Sequence, residues 1–129
     1  MNAFMKQAVV EAQRAIAGGN YPFGAVLVRN GGVLSLGRNR MLQDNDPTSH
    51  AEMNALRNAG LQDSFADTVM VASGFPCLMC AGAIVKLGIP KVVVGATWPG
   101  YEISQQLLAA HGVDIEILDS PECRALLAG

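Results

Sequence analysis

The sequence predicts an α/β domain of three layers, helices on both sides of a sheet, and three observations carry that expectation. An apolar hairpin near the N-terminus is followed by strand, helix, strand, helix, strand, an order that folds with right-handed crossovers into a sheet covered on both faces. Half of the residues are hydrophobic and only 16% are charged, so core burial can offset chain entropy without disulfides. The length of 129 residues suits one domain spanning 1–129, with no second folded module beside it.

Each element has its own signal. Phe4, Ala8, Val9, Ala12 and Ile16 recur at helical spacing and Gly18-Gly19 ends the run, which predicts an amphipathic first helix with its apolar stripe in the core. Residues 23–28 form an apolar run, Asn30-Gly31-Gly32 supplies turn chemistry, and residues 33–36 form a second run; together they read as a β-hairpin entered at Pro22 and Gly24. Residues 37–48 are polar. Ala51, Met53, Ala55 and Leu56 then suit a helix capped by Thr48 or Ser49, which puts His50 and Glu52 in its first turn. A strand over 69–72 and a turn at Ser73-Gly74-Phe75-Pro76 lead into a helix over 77–87, with Pro76 near its first position and Gly88 and Pro90 ending it. A β-branched strand follows over 91–95, a helix over 103–110, an alternating strand through Val113, Ile115 and Ile117, and a short last helix opened by Ser120-Pro121.

Composition excludes several classes. The formal charge is −2 and the pI about 5.5, whereas proteins that grip phosphate backbones concentrate positive charge, so a small substrate is favoured over a long polynucleotide and nucleic acid is not the expected partner. The first sixteen residues include Lys6, Glu11 and Arg14 and no continuous apolar stretch, so they read as neither signal peptide nor membrane span, and no later segment reaches spanning length. Three cysteines, an odd count without a Cys-rich framework, suit a reducing compartment, with cytoplasm the expected location.

The residues that carry chemistry are His50-Ala51-Glu52 and Pro76-Cys77-Leu78-Met79-Cys80, each at the start of a predicted helix. Cys77 and Cys80 lie three apart on one helix face, and a helix N-terminus favours the thiolates that zinc needs. His50 can add a neutral third ligand. Two thiolates and one imidazole balance the charge of one Zn²⁺ per chain and leave a fourth tetrahedral position open for water, the arrangement of a catalytic rather than a structural site. Glu52, two residues from His50, points away from the metal itself but within reach of its water, where a carboxylate carries protons both ways.

Taken singly these motifs have plainer readings. Cys-x-x-Cys after a strand and before a helix also suits a thioredoxin-like redox pair or half of a structural zinc site. A histidine on a helix is more often packed or solvated than metal-bound. His111 and Cys123 are the remaining histidine and cysteine, and neither belongs to a recognisable ligand pair: Cys123 reads as a buried small hydrophobe and His111 as a helix-end residue.

Together the two motifs resemble the cytidine-deaminase superfamily, whose signature is H-x-E followed by P-C-x-x-C. Pro22-Phe23-Gly24-Ala25, the Gly37-Arg38-Asn39 turn, residues 46–52 and residues 76–83 resemble the branch that contains fungal cytosine deaminase, bacterial guanine deaminase and tRNA adenosine deaminase. Residues 88–95, 107–112 and 119–123 are most similar to the fungal-type cytosine deaminase. The resemblance implies a three-layer α/β/α sandwich around a five-stranded mixed sheet, a homodimer, and Asn39 as a hydrogen-bonding partner of the substrate ring, though Asn39 also suits a plain turn. It places pocket residues at Trp98 and Tyr101 after the strand ending at Gly95; with Phe23, Phe75 and Ala51 these make up the expected substrate-binding set, while each aromatic taken alone also suits core or dimer packing. Phe75 stands where relatives carry Glu or Ser, and the sequence stops at Gly129 short of their C-terminal lid, so the pocket is expected to differ.

The leading expectation is hydrolytic deamination of a small heterocycle, cytosine first, with guanine or another aminopurine, pterin or triazine behind it. A tRNA adenosine deaminase would share the catalytic residues and need a phosphate-binding surface. A non-catalytic zinc or redox module built on Cys77 and Cys80 is the alternative of a different class.

Overall fold

The computed structural model describes residues 2–129; Met1, counted above among the first sixteen, lies outside them. In chain order the elements are α1 (Asn2–Ala17), β1 (Gly24–Arg29), β2 (Gly32–Arg38), α2 (Met41–Asp44), α3 (Ala51–Ala59), β3 (Thr68–Gly74), α4 (Leu78–Leu87), β4 (Lys91–Ala96), α5 (Glu102–Ala110), β5 (Asp114–Ile117) and α6 (Pro121–Ala128). The strands form one five-stranded mixed sheet in the order β2-β1-β3-β4-β5.

Two kinds of connection produce that order. Asn30 and Gly31 take φ angles of 51° and 76°, the left-handed pair that a tight turn between antiparallel strands requires, and β1 and β2 pair across it. Register slips between Leu27 and Val28, leaving Leu34 as the extra residue of a bulge. β1 also pairs antiparallel with β3, whereas β3, β4 and β5 run parallel and need crossovers, which α4 and α5 supply.

The apolar strands are buried on both faces, which is why they read as continuous runs and not as alternations. Ala25, Leu27, Val92 and Val94 face a cluster completed by Ala51 and Ala55 of α3, Ala81 and Ile84 of α4, and Leu108 of α5. Val26, Val28, Val71 and Val93 face Met5, Ala8 and Val9 of α1 and Cys123 of α6. The expected three-layer α/β/α sandwich is the observed one.

Gly37 fixes how closely α3 can approach. A Cβ at this position would overlap the backbone of Ala51 and Ala55, so only glycine lets the first turns of α3 lie against β2. That seating sets where His50 and Glu52 begin.

Several boundaries depart from expectation, each for a physical reason. Ser73 and Gly74 continue β3 in place of turning: Ser73 Oγ accepts a hydrogen bond from the Gly24 amide at 3.0 Å, and Gly74 pairs with Ala96. The caps are His50 for α3, not Thr48 or Ser49, and Cys77 for α4, with Pro76 one residue before the cap. Within the polar stretch α2 forms one short turn. Val113 and Ile115 pack against the α3–α5 cluster while Ile117 is exposed, as suits a strand at the sheet edge. Cys123 is buried with its sulfur against Gly95, and His111 ends α5 on the exposed surface. No described helix is long and apolar enough to cross a membrane.

Candidate metal centre and pocket

Two helix starts converge. His50 precedes α3 and Cys77 precedes α4, both with extended backbone, and Cys80 follows in the first turn of α4. Ligand atoms of His50, Cys77 and Cys80 all lie within 4.8 Å of one another, although the histidine and the cysteines are separated by a strand and a helix in the chain.

The histidine is oriented by its far nitrogen. His50 Nε2 lies 3.1 Å from the Pro47 carbonyl oxygen, and since a carbonyl only accepts, Nε2 carries the hydrogen. In the neutral ring Nδ1 therefore presents its lone pair, and it sits 3.4 Å from Cys77 Sγ. The backbone carbonyl sets the tautomer that a metal ligand needs.

The two thiols are unequal. Cys77 is pushed down to about 4, first by the hydrogen bond from the Cys80 thiol, with burial opposing and His50 and the Cys80 amide assisting. Cys80 is pushed up by that same hydrogen bond and by burial. The shared hydrogen bond thus favours the thiolate on Cys77 and the thiol on Cys80. His50 is raised, chiefly by its contact with Cys77 and against burial. A clustered set of two sulfurs and one imidazole that lacks only positive charge fits a divalent, sulfur-tolerant cation such as zinc.

Glu52 lies beside this cluster, 6% exposed. Burial raises its carboxyl to about 7, and the Cys77 charge adds to the effect. Such a carboxyl exchanges protons near neutrality.

A cavity of about 300 Å³ opens over these groups. His50, Glu52 and Cys77 form part of its lining, with Ala51, Asn39, Phe23, Phe75, Trp98, Tyr21 and Met41 making up the rest. Phe23 lies over Gly74, where a side chain would collide with the ring 2.7 Å from the added Cβ. Trp98 Nε1 donates to the Phe75 carbonyl at 2.7 Å, locking the two aromatic residues together. Asn39 is 2% exposed; its Oδ1 accepts from the Met41 amide at 3.1 Å, which leaves the side-chain NH₂ for a ligand.

Thus Phe23, Asn39, Ala51, Phe75 and Trp98 come together with His50, Glu52 and Cys77. Tyr101 does not line the cavity: it packs behind Phe75, with ring centroids 5.1 Å apart. Tyr21 and Met41 were not among the expected residues. The sequence carried one hint, an aromatic directly before Pro22-Phe23, whereas Met41 follows Asn39 within a stretch that reads only as polar.

A family model described as the cytidine and deoxycytidylate deaminase zinc-binding region matches residues 1–96. The chain belongs to this family. A tRNA-specific adenosine deaminase of Streptococcus pyogenes is 34% identical over 97 residues, which is 73% of this chain and 61% of that protein. A cytosine deaminase of Candida albicans is 31% identical over 127 residues, 96% of this chain and 84% of the relative. Among solved structures, one from a study of A-to-I editing by tRNA:A34 deaminases superposes with a TM-score of 0.87 at 31% identity, covering 98% of this chain and 99% of the other. The chain thus spans about three-fifths of the length of the first curated relatives, the streptococcal proteins.

Membership supplies the zinc-binding region, and His50, Cys77 and Cys80 are the residues here that could hold the ion. It also corrects one expectation. Relatives named for tRNA stand beside one named for a free base, so a low content of basic residues does not decide against a nucleic-acid substrate.

Proposed function

We propose that the chain is a zinc-dependent deaminase of a free nucleobase or similar amino-heterocycle, with cytosine, converted to uracil and ammonia, as the leading substrate. One observation carries this reading: a cavity of about 300 Å³, walled by Phe23, Phe75 and Trp98, holds Asn39 and Glu52 beside a His-Cys-Cys cluster. Apolar walls with few convergent polar groups suit a small planar ring.

Each residue then has a task. His50, Cys77 and Cys80 would hold zinc, which when bound would supply the Lewis acidity that makes water nucleophilic at neutral pH. Phe23 and Trp98 stack on the ring and exclude bulk water, and the Asn39 NH₂ donates to a ring acceptor, fixing which carbon faces Glu52. Glu52 takes one proton from the attacking water and passes it to the adjacent ring nitrogen, then carries the remaining hydroxyl proton to the exocyclic nitrogen. A C–O bond forms, the C–N bond breaks, ammonia leaves and a carbonyl remains.

Cytosine leads because, among the curated relatives compared, the cytosine deaminase aligns over 96% of this chain and 84% of its own length. A second reading, deamination of adenosine in tRNA, is favoured by the 0.87 TM-score with the tRNA:A34 deaminase structure. Against it stands the small number of basic residues, and Arg40, beside the pocket residue Asn39, already pairs with Asp44 at 3.1 Å. Ammonia release from cytosine, guanine and 2,6-diaminopurine, measured against inosine formation in tRNA, separates the two. Turnover of a free base well above that of tRNA is expected; efficient tRNA editing with every free base inert would reverse the assignment.

A further inference from the structure

The pocket wall at Tyr21 and Met41 is built from two segments outside the sheet and its main helices, held to the rest mainly by Phe23 and by hydrogen bonds. Tyr21 lies in the loop between α1 and β1, and α2, which carries Met41, has no buried residue. A four-residue helix also satisfies little of its own backbone, so its leading amides need acceptors from outside. Two asparagines provide them. Asn39 Oδ1 accepts from the Met41 amide at 3.1 Å, and Asn20 Oδ1, 23 residues earlier in the chain, accepts from the Gln43 amide at 2.9 Å.

Asn20 is itself anchored. Its amide donates to the Ala15 carbonyl at 2.8 Å, and its side-chain nitrogen lies 3.4 Å from both the Gly18 carbonyl and Gln43 Oε1. It is 8% exposed and immediately precedes Tyr21. The end of α1, the loop carrying Tyr21 and Phe23, and α2 with Met41 therefore meet at one side chain. Displacement of α2 would carry the Met41 amide away from Asn39 Oδ1 and free the Asn39 amide group to turn.

We propose that Asn20 is a positioning residue of the pocket: it ties the loop carrying Tyr21 and Phe23 to α2 and, through the Met41 amide, keeps the Asn39 NH₂ directed at the bound ring. The inference rests on the reading of this cavity as the substrate pocket. Asn20 does not line the cavity and is not hydrogen-bonded to His50, Cys77 or Cys80.

The test compares Asn20→Ala and Asn20→Asp with wild type, all zinc-loaded. Removing the acceptor of the part-buried Gln43 amide loosens the start of α2, and KM on cytosine should rise by up to about tenfold in Asn20→Ala, with kcat little changed. Asn20→Asp keeps the acceptor for the Gln43 amide but sets its second oxygen against the Gly18 carbonyl and Gln43 Oε1, so its KM falls between those of the alanine variant and wild type. A residue that merely stabilised the fold would lower Tm and leave KM of the folded enzyme alone. A wild-type KM in Asn20→Ala, or an Asn20→Asp no better than the alanine variant, would overturn the proposal. Amide exchange gives a reading independent of substrate: Gln43 and Met41 amides should exchange faster in Asn20→Ala and regain part of their protection in Asn20→Asp. If wild type deaminates no heterocycle, the functional reading fails, and the exchange data alone decide on Asn20: unchanged protection overturns its role, and lost protection upholds it.

Discussion

Helices α4 and α6 start in similar ways and serve opposite ends. Each has a proline near its first turn and a buried cysteine at the third helical position, Cys80 in α4 and Cys123 in α6. In α6 the residue before the helix is Ser120, whose Oγ accepts from the Cys123 amide at 3.3 Å, with Pro121 at the first position. The helix end is satisfied locally, Cys123 packs on Gly95, and burial raises its thiol. In α4 the corresponding residue is Cys77, whose sulfur is steadied by the Cys80 amide without making a hydrogen bond of full cap geometry. Its sulfur also lies 3.4 Å from His50 Nδ1, across from a second helix whose own cap, His50, likewise makes no such bond. A cysteine at the third position thus means nothing by itself. The N-cap atom and what faces it decide whether a helix start is closed or open to a ligand.

Replacing the cap atom breaks the comparison most severely. Cys77→Ser puts a preferred N-cap side chain at the start of α4 and makes that end chemically like α6. The soft ligand is lost, so zinc content per chain should fall to near zero and deaminase activity with it, while the circular dichroism of the folded chain persists. Wild type should lose Tm on chelation, because a ligand bound only to the folded state stabilises it, and the variant should not respond. A Cys77→Ser protein that retains stoichiometric zinc would show that the sulfur is not a ligand.

Glu52→Gln sharpens the same contrast without touching the metal ligands. The amide keeps the shape of the side chain but cannot accept and redeliver a proton. Zinc content should match wild type and turnover should fall by about 10²–10⁴-fold, at or beyond the upper end because one carboxyl serves two proton transfers. The measurement pairs zinc analysis with single-turnover rates. A zinc-replete variant retaining most of its activity would remove Glu52 from the chemistry and leave it a buried first-turn carboxyl.

The sheet and its covering helices were legible because their signals are local. Asn30-Gly31 demanded a turn, Val92-Val93-Val94 a strand buried on both faces, and Gly88 with Pro90 a helix stop. The metal cluster was legible because His-x-Glu and Cys-x-x-Cys have fixed spacing. The cap of α3 was misplaced because serine and threonine usually outrank histidine there, a preference that yields where the cap residue faces another ligand. Ser73-Gly74 read as a turn because its strand pairing depends on Ala96, more than twenty residues away. Tyr21 and Met41 escaped notice for a related reason: α2 is too short to show periodicity, and its place is set by Asn20, which no local pattern connects to it.

The smallest expected effect lies at the other helix. Ser120→Ala removes the cap of α6 and should destabilise the protein by about 1 kcal/mol, within the ordinary range for losing a serine N-cap. For a domain of this size that corresponds to a fall in Tm of about 3–6 °C. Zinc content and KM should not change, since α6 packs with α1 on the face of the sheet opposite α3 and α4, and Ser120 and Cys123 are separated from the pocket by the sheet itself. Chelation should lower Tm by the same amount in the variant as in wild type, because the cap and the metal would then act as independent contributions. Calorimetry with and without chelator makes the comparison directly. A chelator response that differed between the two proteins would mean that the starts of α4 and α6 are coupled through Gly95 and β4, and the division into a closed helix start and an open one would have to be redrawn.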